Sequence, residues 1–371
     1  MYDINFYMKS YPLIKEMENG KQLPKKEVMD LFESYRSKDP VVYNIETTNA
    51  CNMRCRMCPR TTRMDRKITF LENNFYEGVL DQLKPHSDKL WKEWEEFCSK
   101  TYGISPDSPA SENHFFLYII PKVVQLHGYG DPLLDKNLGN VIKGLTKNGL
   151  QSYFSCNPAN IDVEKTVEMM ESGLDYLKYS FESTDDEEFK QIRGNASNFT
   201  QSYEKALKIL DIKESLGLDT TIIITMIDVN REDQKEEFQR LRDKFIEKNV
   251  YIYLKSEDQQ WYREDDSLKE YLEDRNRDLP TGGQHGTNAI HWQEVCKHPW
   301  MSMTLKSDGM VSTCMEDYNN EIILGDANQS SLYDIWNNDT YNKFRNDQFD
   351  LTPCIKCTEE CDMPLMGKFY K

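Results

Sequence analysis

Nothing in these 371 residues approaches the roughly 18 consecutive apolar residues of a membrane-spanning helix. The opening "MYDINFYMKSYPLIKEMENGK" also lacks the apolar core of a signal peptide, so a cytoplasmic protein is expected, with no membrane partner. Basic residues are scarce: 46 Lys and Arg face 63 Asp and Glu. The resulting charge of -17 would repel a phosphate backbone unless the cations were gathered on one face, so nucleic acid is not an expected partner. No internal repeat or low-complexity tract is evident. What the chain does have is ten cysteines. In a reducing compartment such residues are rarely disulfides, and clusters of them point to metal binding or catalysis.

At this length the chain can bury a substantial core and is expected to form one large domain plus a smaller one. Short β-branched or aromatic runs at 41–48, 122–128, 150–155, 174–182, 219–227 and 250–255 read as strands. Amphipathic stretches such as "LGNVIKGLTKNG" and "NFTQSYEKALKILDIKESLG" separate most of them, several ending in a Gly suited to a helix C-cap. Repeated βα order predicts an α/β fold with a parallel sheet. Six units are too few for an eight-stranded barrel, so the expectation is a partial (β/α)6 TIM-type barrel over 41–255. Ligands of such sheets sit at the carboxyl ends of the strands.

Residues 1–40 are expected to be helical and to pack on the outside of the barrel. The connection 86–118 is unusually long and rich in aromatics, which suits either a substrate lid or partner surface, or a structural decoration. An acidic, sheet-poor stretch at 256–295 reads as a linker or bridge. From 296 to 371 a small C-terminal α+β domain is expected, with a hairpin around "SDG" followed by the helix of "SSLYDIWNNDTYNKFRND".

The cysteines fall into two groups, Cys51, Cys55 and Cys58 early and Cys296, Cys314, Cys354, Cys357 and Cys361 late. Cys98 and Cys156 stand alone and read as small buried hydrophobes. Three thiolates on one loop can hold three corners of a tetrahedral unit and leave the fourth to an exogenous ligand. A structural zinc site is closed by four ligands, and this loop contains no histidine.

The CxxxCxxC trio directly after the first strand resembles the signature of radical S-adenosylmethionine enzymes. The resemblance implies a four-iron, four-sulfur cluster on Cys51, Cys55 and Cys58, with S-adenosylmethionine chelating the fourth iron. It extends to "HGYGDPLL" at 127–134, similar to the family's Gly-rich GGEP turn, with Tyr129 replacing a Gly and Asp131 replacing the Glu. Gly128 and Gly130 would let backbone approach the cofactor, and the Asp131 carboxylate would receive its ammonium group. Met57 stands where the family has an aromatic whose backbone faces the adenine. Asn157, Ser180, Glu182 and Arg193 resemble the strand-end positions that hold the ribose and carboxylate of the cofactor.

The late spacing resembles the Twitch version of the SPASM extension, which implies an auxiliary iron-sulfur cluster on Cys296, Cys314, Cys354 and Cys357. On spacing alone a structural zinc site fits equally well. Cys361 is a bystander, a replacement ligand or a hydrogen-atom donor to a substrate radical. A molybdenum-cofactor type of cyclase fits less well, because its final cysteine spacing and diglycine tail do not match "CIKCTEECDMPLMGKFYK".

These resemblances imply an oxidoreductase whose 5'-deoxyadenosyl radical takes a hydrogen atom from a small polar molecule or peptide, the auxiliary cluster accepting the second electron. A radical epimerase or bond-forming enzyme, and a zinc-stabilised binding protein without chemistry, are the alternatives. Residues 1–40 are too short for a leader-peptide module, which favours a small polar substrate or a leaderless peptide. Arg60, Arg63, Arg66 and Lys67 form a basic run in an acidic chain, either a solvated loop, a substrate-anion site or a dock for an electron donor such as flavodoxin or ferredoxin.

Overall fold

The computed structural model describes residues 1–19, 21, 23–55, 58–228, 233–256 and 296–348. Each expected run coincides, to within a residue at its carboxyl end or with a shorter span inside it, with a strand: β1 (Val42–Ile45), β2 (Val123–Gln125), β3 (Gln151–Cys156), β4 (Tyr176–Ser180), β5 (Thr221–Asp228) and β6 (Tyr251–Ser256). All five pairings among them are parallel, in the order β6-β5-β4-β3-β2-β1. The expected partial (β/α)6 barrel is therefore present.

The C-terminal hairpin follows as β7 (Met303–Leu305) and β8 (Met310–Ser312), with Gly309 at φ +85° in its turn, and β9 (Gly325–Asp326) lies beyond them. This hairpin was expected in a separate small domain, yet β7 pairs in parallel with β1 and prolongs the barrel sheet to nine strands. The open edge of β1 carries unpaired backbone groups, and β7 satisfies them, as in the 2.8 Å bond from the Glu46 N–H to the Leu305 carbonyl. The segment 256–295, expected as a linker, lies almost wholly outside the described residues.

Successive residues on a strand face opposite sides. One side of the sheet packs Val124, Phe154, Leu177 and Ile224 under helices that include Leu138–Lys147 and Phe199–Leu216. The other, inner side carries Tyr43, Val123, Tyr153, Ile223 and Tyr253. Residues 1–40 were expected outside the barrel. Instead Phe6, Tyr7 and Phe32 join this inner core together with Trp300. A six-stranded arc does not close on itself, so its inner apolar face has to be covered by something else.

The 86–118 connection supplies the rest of that cover. Helix Asp88–Tyr102, capped by the Ser87 hydroxyl, buries Trp94 and Cys98. The π-helix Phe115–Ile119 then sets Phe115 against Tyr153 and Tyr253, with ring centroids 5.6 and 5.4 Å away. It leads directly into the start of β2, and His114 bonds the Tyr251 hydroxyl at the start of β6, 2.9 Å away. The insertion thus occupies the amino ends of the strands, whereas the first cysteines follow the carboxyl end of β1. A lid over the cysteines does not go with that position; a plug in the floor of the barrel does.

Trp94 is wholly buried and its indole N–H donates to the Leu117 carbonyl at 2.7 Å. Trp94→Ala should cost about 3–5 kcal/mol of unfolding free energy, read as a lower urea midpoint.

Candidate active site

Beyond β1 the chain runs buried from Glu46 to Ala50 and then into Cys51. Other segments fasten it there. The Asn49 side chain bonds the Lys67 carbonyl and the Thr69 N–H, each at 2.8 Å, and the Arg60 guanidinium donates to the Asn49 carbonyl at 2.9 Å. Cys51, Cys55 and Cys58 share one small cluster with Met53, Ala159, Ile192 and Ile227. Burial pushes the Cys51 thiol up to about 11 and the Cys58 thiol to about 12. Each is raised a little further by its cysteine neighbours, so the loop brings the three together. Thiols with such values need a bound metal to draw off their protons before they can act as ligands.

The glycine-rich turn lies directly on this loop. A Cβ on Gly130 would sit 2.0 Å from the Thr48 carbonyl oxygen, and one on Gly128 would sit 2.7 Å from the Glu46 side chain. The Asp131 N–H also donates to the Ala50 carbonyl at 2.8 Å. Both glycines were expected to make room for a cofactor; in the structure what they admit is the exit of β1. Asp131 is buried and accepts from the Leu133 N–H at 3.0 Å and from Asn160 at 2.5 Å. Burial raises its carboxyl above the usual range despite those bonds.

Asn160, which the sequence reading did not single out, also exchanges two hydrogen bonds with Asn52 inside the cysteine loop, at 2.9 and 2.7 Å. It sits in the "SCNPAN" segment from which only Asn157 was taken. Asn157 caps the turn Pro158–Asn160 and bonds Ser197 at 3.4 Å. Arg193 is ion-paired with Glu182 and reaches the Cys55 sulfur at 3.7 Å. Burial opposes the charge on Arg193, but Glu182 and Cys55 raise its pKa further above the ordinary guanidinium value. The other Glu182 oxygen takes the Ile227 N–H at 2.9 Å. Ser180 faces Thr225 at 3.3 Å. Met57 lies outside the described residues.

Glu46 was also missed, although its place between a strand and the first cysteine could have flagged it. Its carboxylate is 1 % exposed and receives Arg66 Nη2 on both oxygens at 2.8 Å, together with the Ser307 hydroxyl at 2.9 Å. Burial alone would raise its pKa, but Arg66 and Lys306 hold the carboxyl below its usual value. Arg66 is therefore committed to Glu46 and to the Tyr318 carbonyl, 2.7 Å away, and is removed from the basic surface expected of the 60–67 run.

The same junction brings in the second cysteine group. Burial pushes the Cys296 thiol up to about 12, and Cys314 raises it further. Cys354, Cys357 and Cys361 lie outside the described residues. Tyr129 donates to Glu316 at 2.9 Å, and its phenol is held well above the ordinary value by burial, by Glu316, and by Cys58 and Cys314. One side chain thus lies within electrostatic reach of both cysteine groups. Among the described residues, no three His, Cys, Asp or Glu side chains converge on a single-ion site.

A profile of the radical SAM superfamily matches residues 45–241, more than half of the chain. The chain belongs to the radical SAM superfamily. A second profile, SPASM, described as an iron-sulfur cluster-binding domain, matches residues 296–359. Among solved structures, Streptococcus suis SuiB bound to S-adenosylmethionine is 17% identical with a TM-score of 0.51, covering 86% of this chain and 71% of that one. SuiB bound to the precursor peptide SuiA gives 17% and 0.50, with 86% and 70% covered. BtrN in complex with AdoMet and 2-DOIA gives 16% and 0.41, with 84% and 89% covered. At these identities the SuiB likeness speaks for the fold alone. A comparison with curated proteins finds no match.

As a radical SAM protein the chain binds a four-iron, four-sulfur cluster and S-adenosylmethionine, and its SPASM domain binds auxiliary iron-sulfur. The first loop suits a cube. Three neighbouring thiols stand in an apolar collar, and a cube takes each on a separate iron, so they need not converge on one point.

Gly130→Ala should prevent the turn from seating on the cysteine loop, and anaerobic iron analysis should show at least about half of the iron lost. Glu46→Gln should cost about 3–5 kcal/mol in urea unfolding at neutral pH, because it leaves the Arg66 charge buried without its partner. A depressed carboxyl stabilises the fold above its unfolded pKa and loses that effect as pH falls through the folded one. The gap between variant and wild type should therefore shrink below pH 4.5, the ordinary value.

Proposed function

We propose that this radical SAM protein is an oxidoreductase acting on a small polar molecule or a peptide, with Cys51, Cys55 and Cys58 as ligands of the SAM-binding cluster. When bound, that cluster and S-adenosylmethionine supply a 5'-deoxyadenosyl radical, which abstracts a hydrogen atom. The chain's task is then to bind the cofactor, exclude solvent and orient one C–H bond. Gly128, Tyr129, Gly130 and Asp131 would line the cofactor through the turn seated on the cysteine loop. Asn157, Ser180, Glu182 and Arg193 would meet its ribose and carboxylate, with Met57 beside the adenine.

The observation that carries the oxidoreductase reading is Tyr129. Its phenol lies within electrostatic reach of Cys58 on one side and Cys314 on the other. A net oxidation has to dispose of a second electron and a proton. The electron would leave toward a single auxiliary cluster held by Cys296, Cys314, Cys354 and Cys357, and the Tyr129–Glu316 pair offers the proton a carboxylate acceptor. The peptide arm of the substrate class draws on the likeness to SuiB, which was solved with a precursor peptide. No helix among the described residues is long and apolar enough to cross a membrane. The proposal includes a cytoplasmic location and an electron donor such as flavodoxin or ferredoxin.

In the test, the anaerobically reconstituted wild type should hold about eight irons per chain and release 5'-deoxyadenosine under reductant. Replacing Cys51, Cys55 and Cys58 together by Ala should leave about four irons and abolish that release. Cys314→Ala should keep the release and lose the oxidised product. Solvent deuterium appearing at a substrate carbon would instead identify an epimerase, with Cys361 as the hydrogen-atom donor. Zinc in place of iron would reduce the protein to a binding module.

A further inference from the structure

Asn160 lies where three segments meet: the turn after β3, the cysteine loop and the glycine-rich turn. Its Nδ2 donates to the Asn52 Oδ1 at 2.7 Å and to the Asp131 Oδ2 at 2.5 Å, and its Oδ1 accepts from the Asn52 Nδ2 at 2.9 Å. Both amide protons are thereby used, so one orientation of the side chain satisfies it. The backbone fixes its position as well. The Asn160 N–H donates to the Asn157 carbonyl at 2.9 Å, and Ala159, one residue earlier, belongs to the same small cluster as Cys51, Cys55 and Cys58. Asn52 directly follows Cys51, so a single amide spans the gap from the cysteine loop to the Asp131 carboxylate.

That carboxylate is 4 % exposed and forms no ion pair among the described residues. Lys165 is within electrostatic reach of it but donates to the Leu133 and Asp135 carbonyls. A carboxylate offers about four lone-pair sites. The Leu133 N–H fills one at 3.0 Å, Asn160 a second and the Asn157 N–H a third, which leaves one open. Burial raises the carboxyl, and among the donors that oppose this Asn160 comes first. A buried charge without a partner is costly, so the open site suits a cationic group brought by a ligand.

We propose that Asn160 is a positioning residue for S-adenosylmethionine: through the chain Asn52, Asn160, Asp131 it aims the open acceptor site of Asp131 at the ammonium group of the cofactor, in register with the cysteine loop. The inference rests on the reading in which Asp131 receives that group, and it adds what orients the carboxylate. The brace answers a need set by the sequence. Asp131 is one methylene shorter than the Glu it replaces and has one rotatable bond fewer, so its oxygens cannot swing to follow a misplaced ligand. Its direction has to be set from outside, and Asn160 sets it from the residue next to Cys51. The nucleoside end of the cofactor does not depend on this chain.

The test uses the anaerobically reconstituted holoenzyme, kept oxidised so that no cleavage occurs, and equilibrium dialysis of two ligands. One is S-adenosylmethionine; the other is 5'-methylthioadenosine, which keeps the nucleoside and the sulfur but has no ammonium group. Asn160→Ala should bind S-adenosylmethionine about tenfold or more weakly, the worth of one hydrogen bond to a charged group, at unchanged iron content. Its affinity for 5'-methylthioadenosine should stay within about twofold of the wild type, which a general loosening of the site would not allow. Asn52→Ala should show the same selective loss, and the double variant should lose less than the two single losses multiplied, because both act through one chain. Should Asn160→Ala lose iron, Asn160→Ser is read in its place. Unchanged affinity for S-adenosylmethionine, an equal loss for both ligands, single losses that simply multiply, or iron lost from both Asn160 variants would overturn the proposal. Wild-type affinity for S-adenosylmethionine in Asp131→Asn would instead overturn the assignment of Asp131 on which it rests.

Discussion

A single buried carboxylate, Glu46, ties together the parts of this protein that have to stay in register. It leaves the end of β1, takes the Arg66 guanidinium on both oxygens, and accepts the Ser307 hydroxyl from the C-terminal hairpin. Gly128 lies so close to it that a methyl group would not fit. The cysteine loop, the basic segment after it, the glycine-rich turn and the SPASM hairpin are thus referenced to one charge. Taking such a carboxylate out of water costs several kcal/mol, which only a complete set of partners can offset. A misdocked hairpin would deprive the carboxylate of the Ser307 N–H and hydroxyl, leaving it, among the described residues, only the Arg66 and Tyr129 donors.

Around that junction the chain solves a geometric problem posed by having only six barrel strands. One edge of the arc is continued by β7, which pairs in parallel with β1. The inner face is filled from below by Trp94, Phe115, Phe6 and Phe32, contributed by segments far apart in sequence. The floor is therefore packed and aromatic, while polar groups such as His127, Ser155, Lys178 and Ser180 stand higher on the strands, toward the ends from which the cysteine loop emerges. A radical formed at the cluster proposed for that loop would have this packed floor behind it, which limits quenching by solvent.

The cysteine site itself is poised by burial. Burial pushes the Cys51 and Cys58 thiols up to about 11 and about 12, which favours their protonated form until a bound metal draws off the protons. The shape of the loop does not depend on metal alone, because Asn49, Thr48 and Asn52 are already bonded to neighbouring segments. The Tyr129 side chain then uses the position at which a glycine is more usual in this turn to reach Glu316 beside Cys314.

Much of this was legible in the amino-acid order. The six parallel strands fell where β-branched runs alternate with amphipathic ones, Cys98 and Cys156 are buried as lone cysteines were expected to be, and the cysteine spacings pointed to the family. These are local signals, set by period, by turn chemistry and by how many residues separate two ligands on one loop. Three matters were not local. A period of two says that strand residues face opposite sides, but not that residues 1–40 and 86–118 would cover the inner one. The run from Arg60 to Lys67 reads as surface charge until Glu46 is seen to have taken Arg66 inside. Gly128 and Gly130 announce a close approach without naming what approaches. In each case the partner lies tens to hundreds of residues away, and only the folded chain decides which buried group meets it, because desolvation penalises every arrangement but the paired one.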